Sequence, residues 1–467
     1  MKIKLKFLGA AQNVTGSRHL VEVNGTKVLV DCGLYQERQF AERNWAPFTV
    51  DPKQIDAVLL THAHLDHCGL LPKLVKEGFS GKIYGTSATC EIARIILLDS
   101  AKLQEEDAEF KNSRHQKEGR DVPQVKPLYT IEDAEACFNN FSPVAYREEV
   151  TIIDGVTATF YNAGHVLGSA IIKLKVADGS EERTILFSGD MGRPGRPIVC
   201  DPTVFDKADY VLVESTYGDR VHQETSDIKS IIAETINDAM ERGGNIIVPS
   251  FALERSQELM YYLSQLIEED RIHHLIVFLD SPMASKITEV FSHHPEMFDL
   301  GMQERMANHR SPFKFSGLKF VETSDESKAI NNIKGTVMVI AGSGMCTGGR
   351  IKHHLANNIE DAKNTIMFVG YQAVGTLGRS ILEGEKEVRI LGQMRTVMAK
   401  IVKINGFSAH ADKDELLKWL VELKEAPRRV FVVHGEMKSA NKFGEFVRRN
   451  TGWQVTVPAY NDEFELD

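Results

Sequence analysis

The sequence is short of cysteine, of long apolar runs and of net positive charge, and each shortage excludes a class of protein. Its six cysteines (Cys32, Cys68, Cys90, Cys137, Cys200 and Cys346) stand far apart with no Cys-x-x-Cys pair. This spacing speaks against a cysteine-built zinc site and against a disulfide framework, so the cytoplasm is the expected compartment. No apolar run reaches the roughly 18 residues of a helical membrane span, and no membrane attachment is expected. The opening Met1-Lys2-Ile3-Lys4-Leu5-Lys6-Phe7 alternates as a half-buried strand does and lacks the apolar core of a secretion signal. A formal charge of −10 argues against a generally basic coat for nucleic acid, while leaving room for a local basic groove or bound cations. Internal repeats, low-complexity segments and Pro-, Gly- or Ser-rich linkers are also missing. What is there is a globular composition, 42% apolar, in a chain of 467 residues that can bury two cores.

Short apolar runs recur at 27–31, 57–61, 82–85, 156–162, 170–176 and 184–190, and several end in Asp, His or Gly. Chemistry at strand ends on a layered sheet is the expected reading. Between them, 86–109 has helical periodicity, whereas the polar, basic-leaning 111–126 is expected as a loop or an exposed helix end. From 209 to 394 strands and helices alternate: Tyr210-Val211-Leu212-Val213 leads to Glu214, 245–248 to Pro249-Ser250 and a helix over 254–268. Runs at 275–279 and 337–340 lead to Asp280 and to a glycine-rich turn. This is the pattern of a parallel sheet with crossover helices. After 395, strands at 399–404 and 429–433 flank a helix over 413–423, and the acidic 462–467 closes with a strand or frays.

The stretch Thr61-His62-Ala63-His64-Leu65-Asp66-His67-Cys68-Gly69 organises the rest. On an extended segment His62 and His64, two residues apart, point the same way. Asp66 and His67 follow where the chain turns into a helix. Three neutral nitrogen donors and a carboxylate at one strand end suit zinc. A lone histidine would be read as a solvated loop residue, but this cluster follows directly on a hydrophobic strand. His165, between Gly164 and Gly168, would alone be a turn residue; beside His62 and His64 it offers a third imidazole. Asp190 ends the next strand, where a carboxylate can bridge two metals, and Asp31 is expected to orient ligands rather than to be one.

The His-x-His-x-Asp-His pattern resembles that of the metallo-β-lactamase superfamily. Glu214-Ser215-Thr216-Tyr217-Gly218, Gly406-Phe407-Ser408-Ala409-His410-Ala411-Asp412 and Val432-Val433-His434-Gly435-Glu436 resemble the extra motifs of its β-CASP group. The resemblance covers essentially the entire chain. It is closest to RNA-cleaving members related to the endonuclease subunit of the cleavage and polyadenylation factor and to ribonuclease J. It implies an α/β fold, an αββα metallo-β-lactamase sandwich (1–208 and 395–467) interrupted by a parallel α/β β-CASP domain (209–394), with the active site in the cleft between them. It implies two zinc ions, one on His62, His64 and His165, the other on Asp66, His67 and His434, with Asp190 shared. It also places Asp66, Glu214 and His410 among the catalytic residues, the last two as a pair. The position matching His434 is usually valine in DNA-processing members, so histidine favours RNA.

The expected activity is therefore zinc-dependent hydrolysis of single-stranded RNA, endonucleolytic, 5′–3′ exonucleolytic or both. The reaction needs a nucleophile at neutral pH, charge stabilisation at the phosphate and a proton for the leaving oxygen; two metal ions supply the first two. His410 would supply the proton, with Glu214 orienting the ring and keeping it cationic. The plainer role for His410 is a hydrogen bond at a helix start. Two glycine-rich turns are expected to face substrate, 341–350 with Ser343 and Arg350, and 370–379 with Tyr371 and Arg379, as phosphate contacts and a stacking surface. Arg255 is expected to support packing, and the pairs at 273–274, 293–294 and 353–354 to be surface histidines. One rival is a related hydrolase acting on DNA, a small phosphodiester, a thioester or a lactam; an insert with its own arginine-bearing turns speaks against it. The other is a non-catalytic RNA-binding scaffold, disfavoured because no ligand residue is missing. Single-stranded RNA is the expected partner, and a homo-oligomer is compatible with the sequence.

Overall fold

Burial alternates along the first strand: Ile3, Leu5 and Phe7 are wholly buried, while Lys4 and Lys6 keep partial exposure. In the computed structural model, which describes residues 2–119, 122–179, 181–222 and 227–467, this strand pairs antiparallel with His19–Val23 and with Glu463–Leu466. The acidic C-terminal stretch thus closes a sheet. Met1 lies outside the described residues. The chain divides into two compact units, Met1–Gly195 with Asp201–Val221 and Ala409–Asp467, and Arg196–Cys200 with His222–Ser408.

The first unit holds two seven-stranded sheets. One runs Glu463–Leu466, Ile3–Phe7, His19–Val23, Thr26–Val30, Ala57–Leu59, Lys82–Thr86, Phe141–Val144. The other runs Val455–Thr456, Arg429–Val433, Tyr210–Glu214, Glu181–Phe187, Ala170–Asp178, Val156–Asn162, Glu149–Ile153. Their inner faces form one core, in which Leu5, Phe7, Val28 and Leu59 meet Phe160, Ile172, Leu212 and Phe431. Val211 and Val213 point the other way and pack with Leu416, Trp419, Leu420, Phe443 and Val447 from the helices Lys413–Leu420 and Met437–Thr451. Both faces of Tyr210–Glu214 are therefore covered, which is why it reads as an unbroken apolar run. Helix Ser87–Lys117 packs on the first sheet at Lys82–Thr86 and Phe141–Val144, completing the αββα layering.

That helix is longer than its apolar periodicity suggests. Thr86 caps it by accepting from Thr89 N, and its polar last turns carry i,i+4 ion pairs, Lys111–Asp107 at 2.6 Å and Arg114–Glu118 at 2.7 Å. The stretch 111–126, expected as a loop or an exposed helix end, is helix to Lys117, and its residues 120–121 lie outside the described set.

The second unit holds a six-stranded parallel sheet ordered Leu318–Phe320, Ile276–Asp280, Val337–Ala341, Ile246–Pro249, Thr365–Phe368, Lys400–Lys403. Ile247, Phe278, Val339, Ile366 and Phe368 pack there with Ile351 and Leu355. The unit's edges differ from the 209 and 394 read from the sequence. Tyr210–Glu214 pairs in parallel with Glu181–Phe187 and Arg429–Val433 in the first unit, and Lys400–Lys403 pairs with Thr365–Phe368 in the second. Among the described residues, no helix is long and apolar enough to cross a membrane.

Candidate active site

Most site residues of the first unit stand at or just past the end of a strand, while Asp66 and His67 lie on the short helix Leu65–Cys68. Asp31 follows Thr26–Val30, His62 and His64 follow Ala57–Leu59, and His165 follows Val156–Asn162. Asp190, Glu214 and His434 sit at the ends of Glu181–Phe187, Tyr210–Glu214 and Arg429–Val433, which are adjacent and parallel, so all three emerge at one edge. Asp31 and His434 adopt left-handed backbone, φ 61° and 49°, a conformation costly for residues with a Cβ and held only where surroundings impose it. Here Asp31 N donates to Leu59 O at 2.9 Å and His434 N to Ala10 O at 2.7 Å. Gly33 must lack a side chain, since a Cβ would fall 1.6 Å from the Asp66 carbonyl oxygen. The turn after Asp31 is thereby pressed against the ligand-bearing loop.

Two groups of side-chain atoms converge. His62 Nε2 lies 3.0 Å and His165 Nε2 3.4 Å from His64 Nδ1. His67 Nε2 lies 3.0 Å from His434 Nε2, which is 3.5 Å from Asp66 Oδ2. Asp190 stands between the groups: Oδ2 is 3.5 Å from both His62 Nε2 and His165 Nε2, and Oδ1 is 3.3 Å from His67 Nε2 and 3.5 Å from His434 Nε2. In each of the sets His62–His64–His165–Asp190 and Asp66–His67–His434, the donor atoms lie within 4.8 Å of one another.

The outward nitrogens of these rings are held from behind. Asp31 Oδ2 is 2.7 Å from His67 Nδ1, and Thr61 Oγ1 donates to Asp31 while lying 3.1 Å from His62 Nδ1. Thr216 Oγ1 lies 3.2 Å from His434 Nδ1. These partners fix the orientation of His62, His67 and His434 and leave Nε2 of those three rings directed inward. Thr61 and Thr216 are not among the residues picked out from the sequence; their only signal is adjacency to His62 and a place in the Glu214-Ser215-Thr216-Tyr217 motif.

Charge balance favours cations here. Burial and the neighbouring His62 pull the His64 imidazole down to about 3, and burial also depresses His62 and His165, so this group is neutral and ligand-competent. At His67, burial acts downward but Asp190 and Asp31 outweigh it; at His434, Asp190 and Asp66 do the same. Asp190, which burial alone would raise, is held well below the carboxylate range by His434, His67 and His62. Without a metal, His67 and His434 supply the positive charge that the buried carboxylates need; a bound cation would take over that role and leave both rings neutral as ligands. The donor sets, three imidazoles with a carboxylate and two imidazoles with a carboxylate beside the shared Asp190, fit nitrogen- and oxygen-preferring divalent ions.

Glu214 also lies within 4.8 Å of Asp190 and His434, but its oxygens have other partners. It accepts from Met191 N at 2.6 Å and Thr216 N at 3.3 Å, and both oxygens face His410 Nδ1, at 3.1 and 3.2 Å. His410 bridges to Gly192, and Ala411 N donates to Met191 O at 2.8 Å, which fixes the ring's position. The helix that follows takes its cap from Asp412, which accepts from Asp414 N and Glu415 N. A capping role therefore does not explain His410. Burial pulls its pKa down, but Glu214 and Asp190 outweigh that and raise it to about 9, so the ring is cationic at neutral pH.

This chain matches three family profiles, described as a metallo-beta-lactamase superfamily domain over residues 20–190, a Beta-Casp domain over 256–381 and a Zn-dependent metallo-hydrolase RNA specificity domain over 395–458. It is 39% identical to Ribonuclease TTHA0252 of Thermus thermophilus, over 97% of this chain and 98% of that protein. The chain belongs to the metallo-β-lactamase/β-CASP family of nucleases. It is also 32% identical to Transcription termination factor FttA of Methanocaldococcus jannaschii, over 99% of this chain and 72% of that protein. The RNase J-like protein of the same organism is 30% identical over 98% of both chains. A crystal structure titled as a protein of unknown function from Enterococcus faecalis V583 shares the fold along the whole of both chains, with a TM-score of 0.57 at 12% identity.

The β-CASP unit treats the remaining candidates differently from the sequence reading. Ser343 Oγ accepts from Thr347 N at 3.1 Å and Gly348 N at 3.2 Å, so its turn closes on itself. Arg350 is committed inside the fold: Nη1 donates to Asp280 Oδ1 at 2.6 Å and Nη2 to Glu322 O at 2.6 Å. Arg379 pairs with Glu383 one helical turn on, at 2.6 Å, and Tyr371 is half exposed. Two histidines expected at the surface are buried: His354 donates from Nε2 to Asp280 Oδ2 at 2.6 Å, and His294 lies 3.0 Å from Glu296. Asp280, wholly buried and also accepting from Ser327 Oγ, ties this network. Asp280→Ala strands Arg350 and His354 and is expected to cost about 3–5 kcal/mol of the unit's stability. Urea unfolding followed by circular dichroism checks it. An unchanged transition would mean that Arg350 is not held by Asp280 and is available to substrate.

Proposed function

We propose that this chain is a zinc-dependent ribonuclease that hydrolyses phosphodiester bonds of single-stranded RNA with two ions bound per chain. The observation that carries the proposal is Asp190, one oxygen facing His62 and His165 and the other facing His67 and His434. His62, His64 and His165 would hold one ion, Asp66, His67 and His434 the other, and Asp190 both. When bound, such ions clamp the phosphate oxygens and make water a usable nucleophile at neutral pH. RNA as the substrate class is supported by the RNA specificity profile over 395–458, which includes His410 and His434, and by relatives whose names are ribonucleases.

The chain's own residues do the rest. Asp31, Thr61 and Thr216 hold the imidazoles in register, and burial of the cluster keeps bulk water from screening it. Glu214 grips His410 at Nδ1, so a proton for the leaving oxygen passes from Nε2. The cytoplasm as compartment of action suits six cysteines spaced without a Cys-x-x-Cys pair.

Protein purified without chelator is expected to carry about two zinc ions per chain and to cut labelled single-stranded RNA. Treatment with EDTA should abolish cutting, and added zinc should restore it. Cleavage that survives complete metal removal, or RNA left intact while a small phosphodiester is hydrolysed, would sink the reading in favour of a metal-free or small-substrate hydrolase. Parallel substrates with 5′-monophosphate, 5′-triphosphate and circular ends separate internal from end-dependent cleavage, since only internal attack opens a circle.

A further inference from the structure

The two glycine-rich turns of the β-CASP unit have a shared neighbour. Val337–Ala341, Ile246–Pro249 and Thr365–Phe368 are adjacent parallel strands, and Gly344, Phe251 and Gly370 lie just past their respective ends. Neither Gly344 nor Gly370 adopts a positive φ, so backbone conformation does not require glycine at either place. The Phe251 ring excludes a side chain at Gly344 and crowds one at Gly370. A Cβ on Gly344 would fall 2.6 Å from Phe251 Cδ2, and one on Gly370 would fall 3.3 Å from Cε2. Gln372, buried, ties the turns together by donating from Nε2 to Gly344 O at 2.8 Å and Gly370 O at 3.3 Å. The Phe251 backbone is pinned too: its carbonyl accepts from Ser250 Oγ at 3.2 Å and Ser256 Oγ at 2.8 Å. Yet the residue remains 36% exposed, and Tyr371, adjacent to Gly370, is 50% exposed.

Backbone of two turns, a buried amide and two hydroxyls thus converge to hold one aromatic ring partly in solvent. A core phenylalanine does not need that exposure. An exposed one with no ligand does not need that fixing. A rigid ring presented at the carboxyl ends of a parallel sheet loses little entropy on binding a flat partner, and every nucleobase has a face to offer it. The amides of the first turn, meanwhile, are engaged by Ser343, which weakens its case as a phosphate cradle.

We infer that Phe251 is a stacking platform for one nucleobase of the RNA, with Gly344 and Gly370 serving to seat its ring. This rests on the ribonuclease reading, and the test separates the two. Binding of the zinc-loaded protein to a short phosphorothioate-linked oligoribonucleotide is measured by fluorescence anisotropy, alongside a series in which one abasic residue is moved along the strand. Wild type is expected to lose roughly 5- to 100-fold in affinity when the abasic residue reaches one particular position. Phe251→Leu should bind the intact strand with a similar loss and should give a flat abasic series; Phe251→Trp should restore both. Gly370→Ala, which nudges the ring without removing it, should weaken the same position alone. Thermal melting of each variant identifies one that fails to fold. If wild type binds RNA but Phe251→Leu keeps wild-type affinity and the same positional profile, the platform is wrong and the ribonuclease reading stands. If wild type binds and cleaves no RNA, both fail together.

Discussion

Asp190→Ala is expected to empty both metal sets at once. Removing any one imidazole takes a donor from a single set, whereas Asp190 presents Oδ2 to His62 and His165 and Oδ1 to His67 and His434. Zinc content should therefore fall from about two per chain to below one, and RNA cleavage should fall by roughly 10³-fold or more, the scale on which transition-state charge stabilisation acts. Asp31→Ala is the matched control. Asp31 touches His67 Nδ1 and Thr61, not the convergent Nε2 atoms, and loss of such an orienting partner lowers metal affinity by about 10- to 100-fold. Asp190→Asn, which keeps the shape, distinguishes loss of charge from a packing defect. Two zincs retained in both Asp190 variants would show that the carboxylate is not shared.

Much of this was legible because the ligands are local. His62, His64, Asp66 and His67 fall within six residues after an apolar strand, and strand periodicity alone puts two of them on one side. Asp190 and Glu214 were readable as carboxylates closing buried strands. What could not be read is what depends on partners distant in sequence. Arg350 beside glycines looks like a phosphate ligand until Asp280, 70 residues earlier, is found holding it. His354, half of a histidine pair in the sequence, is buried against the same carboxylate. Unit edges are hard to read for a related reason. A parallel strand buried on both faces has no alternation, so Tyr210–Glu214 in one sheet and Ile246–Pro249 in another look alike until their neighbours are known. Thr61 and Thr216 escaped notice because a hydroxyl gains a role from where it points.

The last prediction separates proton transfer from metal binding at two histidines that motif reading alone could confuse. His434 offers Nε2 to the set containing His67 and Asp66, while His410 offers Nδ1 to Glu214 and lies 3.9 Å from Asp190. His434→Ala should therefore lose zinc. His410→Ala should keep it and bind RNA nearly as wild type, yet cleave roughly 10²- to 10⁴-fold more slowly, the usual contribution of a positioned proton donor. Glu214→Gln should fall between wild type and His410→Ala: the amide oxygen can still accept from Met191 N, but the imidazolium loses the anion beside it. Single-turnover rates, zinc content and RNA affinity are measured for all three variants. Restoring the rate with an RNA whose leaving oxygen is replaced by sulfur completes the test, because a thiolate leaves without a proton. His410→Ala should regain most of its loss on that substrate, and His434→Ala should not. Loss of zinc from His410→Ala, or an equal defect on both substrates, would make His410 a structural or metal-holding residue and leave the proton to come from elsewhere.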